Sequence, residues 1–424
     1  MASTKTTGKK PTSSLETQLD AAMGKGKGVL RLAPTWVPRT FIYPGRRMKL
    51  AEEDLYVHGP TRGGISERWF ASTVQAQNGP GTPEDEGLSY VVGANGKQFL
   101  LRDAVAARGS ELIGAKMFKR YGKWPNYAKF FDPMGAIAHH LHHREEHAKL
   151  VGQEHKPEAY YFPKELNANP NIFPYSFMGL EPGTRRQDII DCLERWRSGK
   201  IGDNGILDFS RAFRLKPGTG WQMPAGILHA PGSMLIFEVL WGSDVFAMFQ
   251  SMIENRPVDW SWLTGSVPAD KTQDLDFIVD LIDWEGSTNP HFKQDHYLEP
   301  ILSAGGGKAG FSDKWVIYGK MHGQDLFSAK ELSVSAGSSV VLKDGAACGL
   351  ICTQGHGKLG AHEIEAPNYI RYGQTTNDEF FISDAAARAG VKVTNTGTQT
   401  LTLIRYFGPG SSPKMPKPGD YRKA

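Results

Sequence analysis

The chain has 424 residues, 40% of them apolar, so it is long enough for about two or three domains with hydrophobic cores. Its net charge is only +4, and much of that charge lies in the lysine-rich residues 1–27. The remainder is close to neutral, which argues against nucleic-acid binding. The longest apolar run, near Met234–Trp241, is far too short to cross a membrane, and the N-terminus lacks an apolar run of signal-peptide length. We therefore expect a cytoplasmic protein without membrane contacts.

Glycine, proline and cysteine usage indicates the kind of fold. The 48 glycines and 26 prolines suit many short strands joined by turns better than long helices. The 3 cysteines, at positions 192, 348 and 352, are odd in number and scattered, so they do not form a disulfide framework. Cys348 and Cys352 lie close together, but no further ligand pair accompanies them, and we interpret them as small buried residues.

The predicted elements divide the chain into four segments. They are a flexible basic tail (residues 1–28), a β domain with a short helical insertion (29–260), a connecting region (261–310) and a second, smaller β domain (311–424). The tail contains a helical turn around Leu15–Met23. The insertion is an amphipathic helix at Thr184–Ser198, where apolar residues recur at helical spacing.

Two segments of the larger β domain carry residues at metal-ligand spacing. On a β-strand, alternate residues point to one face, so His140 and His142 are predicted to face the same way. With Glu158 and His229 from neighbouring strands, they would form a divalent-metal site with room for a substrate. The alternative is a set of cavity-lining polar residues without metal, and it carries a desolvation cost that ligation removes. A second alternative is that His139, rather than His140, points inward.

Other polar residues near these segments have both a site interpretation and an ordinary one. Lys156 is two residues from Glu158 and is predicted to share its face, whereas Lys129 and Lys156 could also be surface lysines. Glu238 interrupts an apolar strand, where a charged residue usually has a partner or a role. A structural salt bridge is the alternative for Glu238. The remaining histidines are expected to surround the site or lie in loops: His139, His143, His147, His155, His356 and His362.

Several short segments occur in the order and with the gaps of one enzyme family. They are Ser66–Ser72, Ala128–Asp132, His140–His142, Glu145–Ala148, His155–Glu158 and Pro224–Ala230, followed in register by Glu238 and Asp244. Together they resemble type I mannose-6-phosphate isomerases, which are metal-dependent cupins. The resemblance covers most of residues 60–260 and, more loosely, the C-terminal half.

The resemblance implies an all-β fold of two tandem cupin (jelly-roll type) β-barrels with a few helices, the first barrel holding the metal. It implies one divalent metal ion on His140, His142, Glu158 and His229, with Zn favoured and Mn, Fe or Ni left open by ligand type. It also implies active-site polar residues, which are Lys129, Lys156 and Glu238.

Three positions depart from the family pattern. The first ligand is Gln in the family and His140 here. Met248 stands where the family has its active-site Arg, and Ala138 stands where it has a Ser near the phosphate. The chain thus keeps the metal ligands and lacks two groups tied to phosphosugar handling, so we expect mannose 6-phosphate to be a poor substrate.

The function implied by the resemblance is interconversion of an aldose and a ketose. The metal would bind the carbonyl and adjacent hydroxyl oxygens and stabilise an enediolate, with Glu238 or Lys156 as base and the other assisting ring opening. Two alternatives stay open: a lyase, epimerase or dioxygenase acting on a sugar-derived or keto acid substrate, and a non-catalytic sugar-binding cupin. We expect a small-molecule carbohydrate partner, no nucleic acid, no membrane, and a monomer or homodimer.

Overall fold

The computed structural model of the protein describes residues 14–79, 81–168, 174–199, 202–253 and 255–423. Strands dominate it. The strands are β1 (Val29–Arg31), β2 (Thr35–Arg39), β3 (Gly64–Phe70), β4 (Tyr90–Val92), β5 (Gln98–Leu100), β6 (Asn126–Phe131), β7 (His140–Leu141), β8 (Glu158–Tyr161), β9 (Tyr175–Leu180), β10 (Ser210–Arg214), β11 (Gly220–Met223), β12 (His229–Ala230), β13 (Ile236–Trp241), β14 (Ala247–Met248), β15 (Met252–Ile253), β16 (Arg256–Pro257), β17 (Tyr297–Leu298), β18 (Ile301–Lys308), β19 (Phe311–Ile317), β20 (Ser328–Val334), β21 (Ser339–Leu342), β22 (Cys348–Gln354), β23 (His356–Leu359), β24 (His362–Glu365), β25 (Glu379–Ile382), β26 (Val391–Asn395) and β27 (Leu401–Phe407).

The helices are short. They are α1 (Ser14–Gly26), α2 (Leu101–Gly109), α3 (Ala115–Tyr121), α4 (Glu145–Leu150), α5 (Arg186–Arg197), α6 (Ser261–Thr264), α7 (Leu275–Asp280), α8 (Trp284–Ser287), α9 (Phe292–His296) and α10 (Asp384–Ala389). Single turns of tighter or wider helix occur at Glu52–Asp54, Pro60–Arg62, Ser110–Gly114, Ile206–Phe209, Ala269–Lys271 and Asp420–Arg422. Among the described residues, no helix has both the length and the apolar character that a membrane crossing needs.

The first half of the molecule contains two antiparallel sheets that share a core. One has 7 strands in the order β17-β11-β8-β13-β6-β3-β2, and the other has 5 in the order β10-β9-β12-β7-β14. Tyr160 and Ile236 of the larger sheet belong to the same buried cluster as Met178 and Met248 of the smaller one. The interior between these two sheets is where the predicted site residues lie.

The second half repeats this plan with different strands. A sheet of 7 strands, ordered β1-β25-β22-β27-β20-β19-β18, shares a core with a sheet of 4 strands, ordered β21-β26-β23-β24. The two large sheets pack against each other, because Phe237 and Ile404, one from each, belong to one buried cluster. Both faces of a strand such as β13 are therefore buried, which explains its nearly continuous apolar sequence. The prediction of a mostly β protein is confirmed, with several antiparallel sheets and few helices.

The N-terminal segment differs from the predicted flexible tail. Residues 1–13 lie outside the described part, but Ser14–Gly26 forms helix α1 rather than a single turn. Leu19 is fully buried there, and the spacing of Leu15, Leu19 and Met23 places them on one helix face against the main core. The prediction of a tail over 14–28 is thus wrong, because the lysines and glycines that suggested it flank an apolar stripe.

The segment boundaries lie slightly away from those drawn on the sequence. Strand β1 precedes the first half but pairs with β25 of the second, Val29 lying opposite Ile382. Strand β17 still pairs with β11, whereas β18 already pairs with β19. The change from one half to the other therefore falls between residues 298 and 301. The predicted inserted helix is present as α5, two residues shorter at its start and one at its end.

Candidate metal centre

Both sheets of the first half contribute to the candidate metal centre. His140 begins β7 and His229 begins β12, and the two residues lie directly opposite each other in this strand pair. His142 follows one residue after the end of β7. Glu158 begins β8 in the facing sheet. The site therefore lies in the interior between the sheets, where each of the four side chains is buried.

The three histidines face one another. The ring centroids are 4.3 Å apart for His140 and His229, 5.1 Å for His140 and His142, and 5.4 Å for His142 and His229. One ring nitrogen from each lies within 4.8 Å of the others. The alternation predicted for the His-Leu-His sequence is present, and it is His140, not His139, that faces this point.

Backbone carbonyls hold each imidazole in one orientation. The Nδ1 atoms lie 3.0 Å from the Ala138 carbonyl oxygen for His140, 2.8 Å from that of Val245 for His142, and 2.7 Å from that of Ile227 for His229. A carbonyl only accepts, so Nδ1 carries the proton and donates it in each case. The Nε2 lone pairs are left for a ligand, as in metal-bound histidines.

Glu158 lies against two of the three histidines. Its Oε2 lies 3.1 Å from Nε2 of His142 and its Oε1 lies 3.2 Å from Nε2 of His229, while the hydroxyl of Tyr160 donates to Oε1. Burial lowers the pKa of His142 to about 4 and that of His140 well below its usual value. Burial acts to raise the pKa of Glu158, but His142 and His229 hold it well below its usual range. Burial thus favours the neutral, metal-binding form of His140 and His142.

These residues fit a divalent metal ion. Within the described part of the chain, Nε2 of His229 is buried and makes no hydrogen bond of normal geometry. A buried polar atom without such a bond carries a cost that ligation would remove. Three imidazole nitrogens and one carboxylate suit Zn, Mn, Fe or Ni.

A chain of buried ion pairs runs beside the histidines. Its members, in order, are Lys156, Asp244, Arg39, Glu67, Lys129 and Glu238. Adjacent charged atoms are 3.0 or 3.1 Å apart, and each side chain is at most 7% exposed. Lys129 and Glu238 are direct cross-strand partners on β6 and β13. The register of the sheet therefore brings Lys129 and Glu238 together.

The pKa values of Glu238 and Lys129 are both raised, by burial for the carboxyl and by the ion pairs for the ammonium. Burial raises the pKa of Glu238 to about 8, although Lys129 acts to lower it, and Glu158 and Glu67 add to the rise. Burial acts to lower the pKa of Lys129, but Glu238 and Glu67 raise it above its usual value. Burial thus brings the pKa of Glu238 closer to neutral pH, which suits a proton-transferring group.

The three predicted polar residues line the same cleft as the metal candidates. Lys129, Lys156 and Glu238 line it together with His140, His142 and Glu158. Neither Lys129 nor Lys156 is a surface lysine, since each is buried and ion-paired. Glu238 lines the cleft and also forms a salt bridge with Lys129, so both interpretations offered by the sequence stay open.

Arg39 and Tyr160 are site residues that sequence reasoning missed. The Arg39 guanidinium joins Glu67 to Asp244 at 3.1 and 3.0 Å. Glu67 and Asp244 lie in the family-like segments, where the sequence alone suggests no role for them. A usable signal existed for Glu67, a charged residue inside the fully buried β3. Arg39 ends β2 and carries no such signal, since its neighbours in sequence do not show that it is buried.

Three histidines outside the centre have partners of their own. His139 points to the opposite face, where its ring bonds Gln250 at 3.1 Å and the Ser210 hydroxyl. His147 lies 3.5 Å from Asp280, and Nε2 of His362 lies 3.0 Å from the Val29 carbonyl. His356 is exposed. The cysteines are buried and free, as expected.

Comparisons with known proteins bear on the fold. No family model and no curated protein matches the sequence. The mannose 6-phosphate isomerase of Bacillus subtilis superposes with a TM-score of 0.57 at 16% identity, over 89% of this chain and 99% of that one. A variant of phosphomannose isomerase from Salmonella typhimurium superposes with a TM-score of 0.56 at 14% identity, over 90% and 99%. The chain has the fold of the type I phosphomannose isomerases.

Two residues that depart from the family pattern, Met248 and Ala138, lie close to the candidate metal centre. Met248 lines the cleft, is 1% exposed, and lies opposite His140 in the β14–β7 pair. Ala138 is fully buried, and its carbonyl holds the His140 ring. A thioether and a methyl group therefore stand close to the candidate metal centre, where neither can pair with a phosphate.

Removing Arg39 tests how far the ion-pair chain stabilises the fold. We expect Arg39→Met to lower the free energy of unfolding by about 3–5 kcal/mol, because Glu67 and Asp244 lose a shared, buried partner. Arg46 pairs with Glu52 at the surface, so Arg46→Met is the matched control, with an effect of about 0–1 kcal/mol. Chemical denaturation of both variants measures the difference. Equal losses in the free energy of unfolding would show that the buried ion pairs do not stabilise the fold more than a surface ion pair does.

Proposed function

We propose that the protein is a metal-dependent enzyme that interconverts an aldose and a ketose. The observation that carries this proposal is the grouping of His140, His142, His229 and Glu158 beside a cleft lined by Lys129 and Glu238. The fold match supports the reaction class, since the Bacillus subtilis and Salmonella typhimurium proteins are mannose 6-phosphate and phosphomannose isomerases. We also propose that the paired sheets of each half form cupin-type barrels.

The proposed cofactor is one divalent ion, with Zn in first place. His140, His142, His229 and Glu158 would hold it. A bound ion would supply positive charge to stabilise negative charge that develops on substrate oxygens.

The chain's own residues then provide the proton transfers. Glu238 is our candidate base, taking the proton from the carbon beside the carbonyl and returning it to the carbonyl carbon, while the proton of the adjacent hydroxyl passes to the carbonyl oxygen. The Lys129 ammonium, 3.0 Å from Glu238, holds that carboxylate in place. The Lys156 ammonium, held 3.0 Å from Asp244, is our candidate donor for the ring oxygen during ring opening. Tyr160 orients Glu158 through the hydrogen bond that its hydroxyl donates.

The substrate is expected to differ from mannose 6-phosphate. Met248 beside His140 and the buried Ala138 offer no charge or hydrogen bond to a phosphate. Purified, metal-loaded protein should therefore convert mannose 6-phosphate to fructose 6-phosphate slowly or not at all in a coupled assay. Efficient conversion would refute this prediction.

Two experiments test the proposed function. The first is metal analysis of natively purified protein, and the second is incubation with a panel of sugars and sugar phosphates monitored by NMR. Exchange of the proton on the carbon beside the carbonyl, together with appearance of the partner sugar, is the expected result. Oxygen consumption by an iron form would instead favour a dioxygenase, and elimination or inversion products would favour a lyase or an epimerase. Sugar binding without turnover across the panel would favour a non-catalytic sugar-binding cupin.

A further inference from the structure

The cations of the cleft are already occupied by carboxylates. Arg39 contacts Glu67 and Asp244, Lys129 contacts Glu67 and Glu238, and Lys156 contacts Asp244, all within 3.1 Å. Among the described cleft-lining residues, no lysine or arginine is left without a carboxylate partner. A phosphate or carboxylate on the substrate would have to displace one of these buried partners, because anion sites need free Arg, Lys or backbone N–H donors.

The rest of the cleft is apolar. Its apolar residues are Phe41, Ile42, Phe131, Ile137, Phe246 and Met248, with Pro231 beside them. Met248 lies opposite His140 in the sheet, so this surface begins directly beside the candidate metal centre. A hydroxyl pressed against it would lose water without gaining a hydrogen bond, whereas a methyl group would be favoured there.

Aromatic rings mark the mouth of the cleft. Phe41 and Phe246 are partly exposed, whereas the other described cleft-lining residues are buried. Their ring centroids are 6.1 Å apart, and Trp262 packs against both, at 5.3 Å from Phe41 and 5.7 Å from Phe246. A substrate bound at the metal centre therefore extends along an apolar surface toward an aromatic opening.

From these contacts we infer that the cleft binds an uncharged sugar whose end remote from the reacting carbons is apolar, as in a deoxy sugar. The inference rests on the proposed function for the orientation, with the carbonyl end at the histidines and Glu158. The polar reacting end meets the ionic groups of the cleft. The sugar passes Met248 beside the metal centre, and its remote end meets Phe41 and Phe246, where a methyl group replaces a hydroxyl or a phosphate.

Equilibrium binding to the zinc-loaded protein, by titration calorimetry, tests this inference. The probes are hexose, 6-deoxyhexose and hexose 6-phosphate, each in the gluco, manno and galacto series. In the series that binds best, we expect the 6-deoxyhexose to bind roughly tenfold tighter than the parent hexose, and the 6-phosphate to bind weakest. Tightest binding of a 6-phosphate, equal binding of deoxy and parent sugars, or no binding in any series would overturn it.

Substitutions at Met248 test whether this residue determines the preference for a deoxy sugar over a sugar phosphate. Met248→Arg introduces a cation without a designed partner, and it should strengthen binding of the 6-phosphate relative to the 6-deoxyhexose by roughly tenfold or more. Met248→Leu conserves volume and apolarity and should keep the deoxy preference. If the Arg variant fails to fold, Phe246→Lys at the partly exposed mouth makes the same test. An unchanged ligand preference in the folded cationic variant would overturn the assignment.

Binding and turnover separate this inference from the proposed function. A deoxy preference in binding with no isomerisation by NMR would leave the inference standing and remove the isomerase proposal. Isomerisation accompanied by tighter binding of 6-phosphates would support the isomerase proposal and overturn the inference of a deoxy-sugar preference.

Discussion

Replacing His142 by alanine is expected to remove most of the divalent metal from the protein. The His142 Nε2 atom lies 3.1 Å from Glu158, and its Nδ1 is held by the Val245 carbonyl, so the ring is fixed for ligation. Loss of a partner that only orients a ligand already lowers metal affinity by about 10–100-fold, and loss of the ligand itself should exceed that. Elemental analysis after dialysis against a weak chelator measures the change.

The unfolding temperature should show the same loss of metal binding in an independent measurement. A metal that binds only the folded state raises the unfolding temperature, so added zinc should stabilise the natural protein much more than His142→Ala. His291→Ala is the matched control, because this histidine is exposed and lies in the same half of the molecule. Full metal occupancy in His142→Ala, or equal losses in both variants, would show that the ligand assignment is wrong.

The histidine pair could be predicted because the relevant contacts are local. Strand alternation alone places His140 and His142 on one face, and the structure has their rings 5.1 Å apart. That His229 and Glu158 join them was implied by the family resemblance, since strand order cannot be read from one sequence. The fold was implied in the same way, by segments whose gaps match the family.

Arg39 shows what the sequence could not provide. Its carboxylate partners lie 28 and 205 residues away, so only the folded sheet register brings the three charges together. The prediction for the segment that forms helix α1 was wrong for another reason. Its apolar stripe is short and flanked by lysines and glycines, and tertiary packing of Leu19, not local propensity, decides that it is helical.

Glu238→Gln is expected to slow turnover by about 10²-fold or more while leaving metal content unchanged. The substitution keeps the volume of a side chain that is 2% exposed and lines the cleft, but it removes the proton acceptor. Lys129 retains Glu67 as a partner at 3.1 Å, so the ammonium is not left unpaired. The sugar identified by the NMR panel is the substrate for the assay, with metal analysis and thermal unfolding measured on the same preparation.

Glu379→Gln is the matched control for this experiment. Glu379 is also buried, burial also raises its pKa to about 8, and it also pairs with a cation, Arg68, but its partners lie in the contact between the two halves. If Glu238 only forms a structural ion pair, both variants should lose stability and neither should lose specific activity in the folded fraction. If Glu238 transfers the proton, only its own variant should lose turnover, within a fold that still binds metal. Natural turnover in Glu238→Gln would remove this residue from the mechanism whatever its effect on stability.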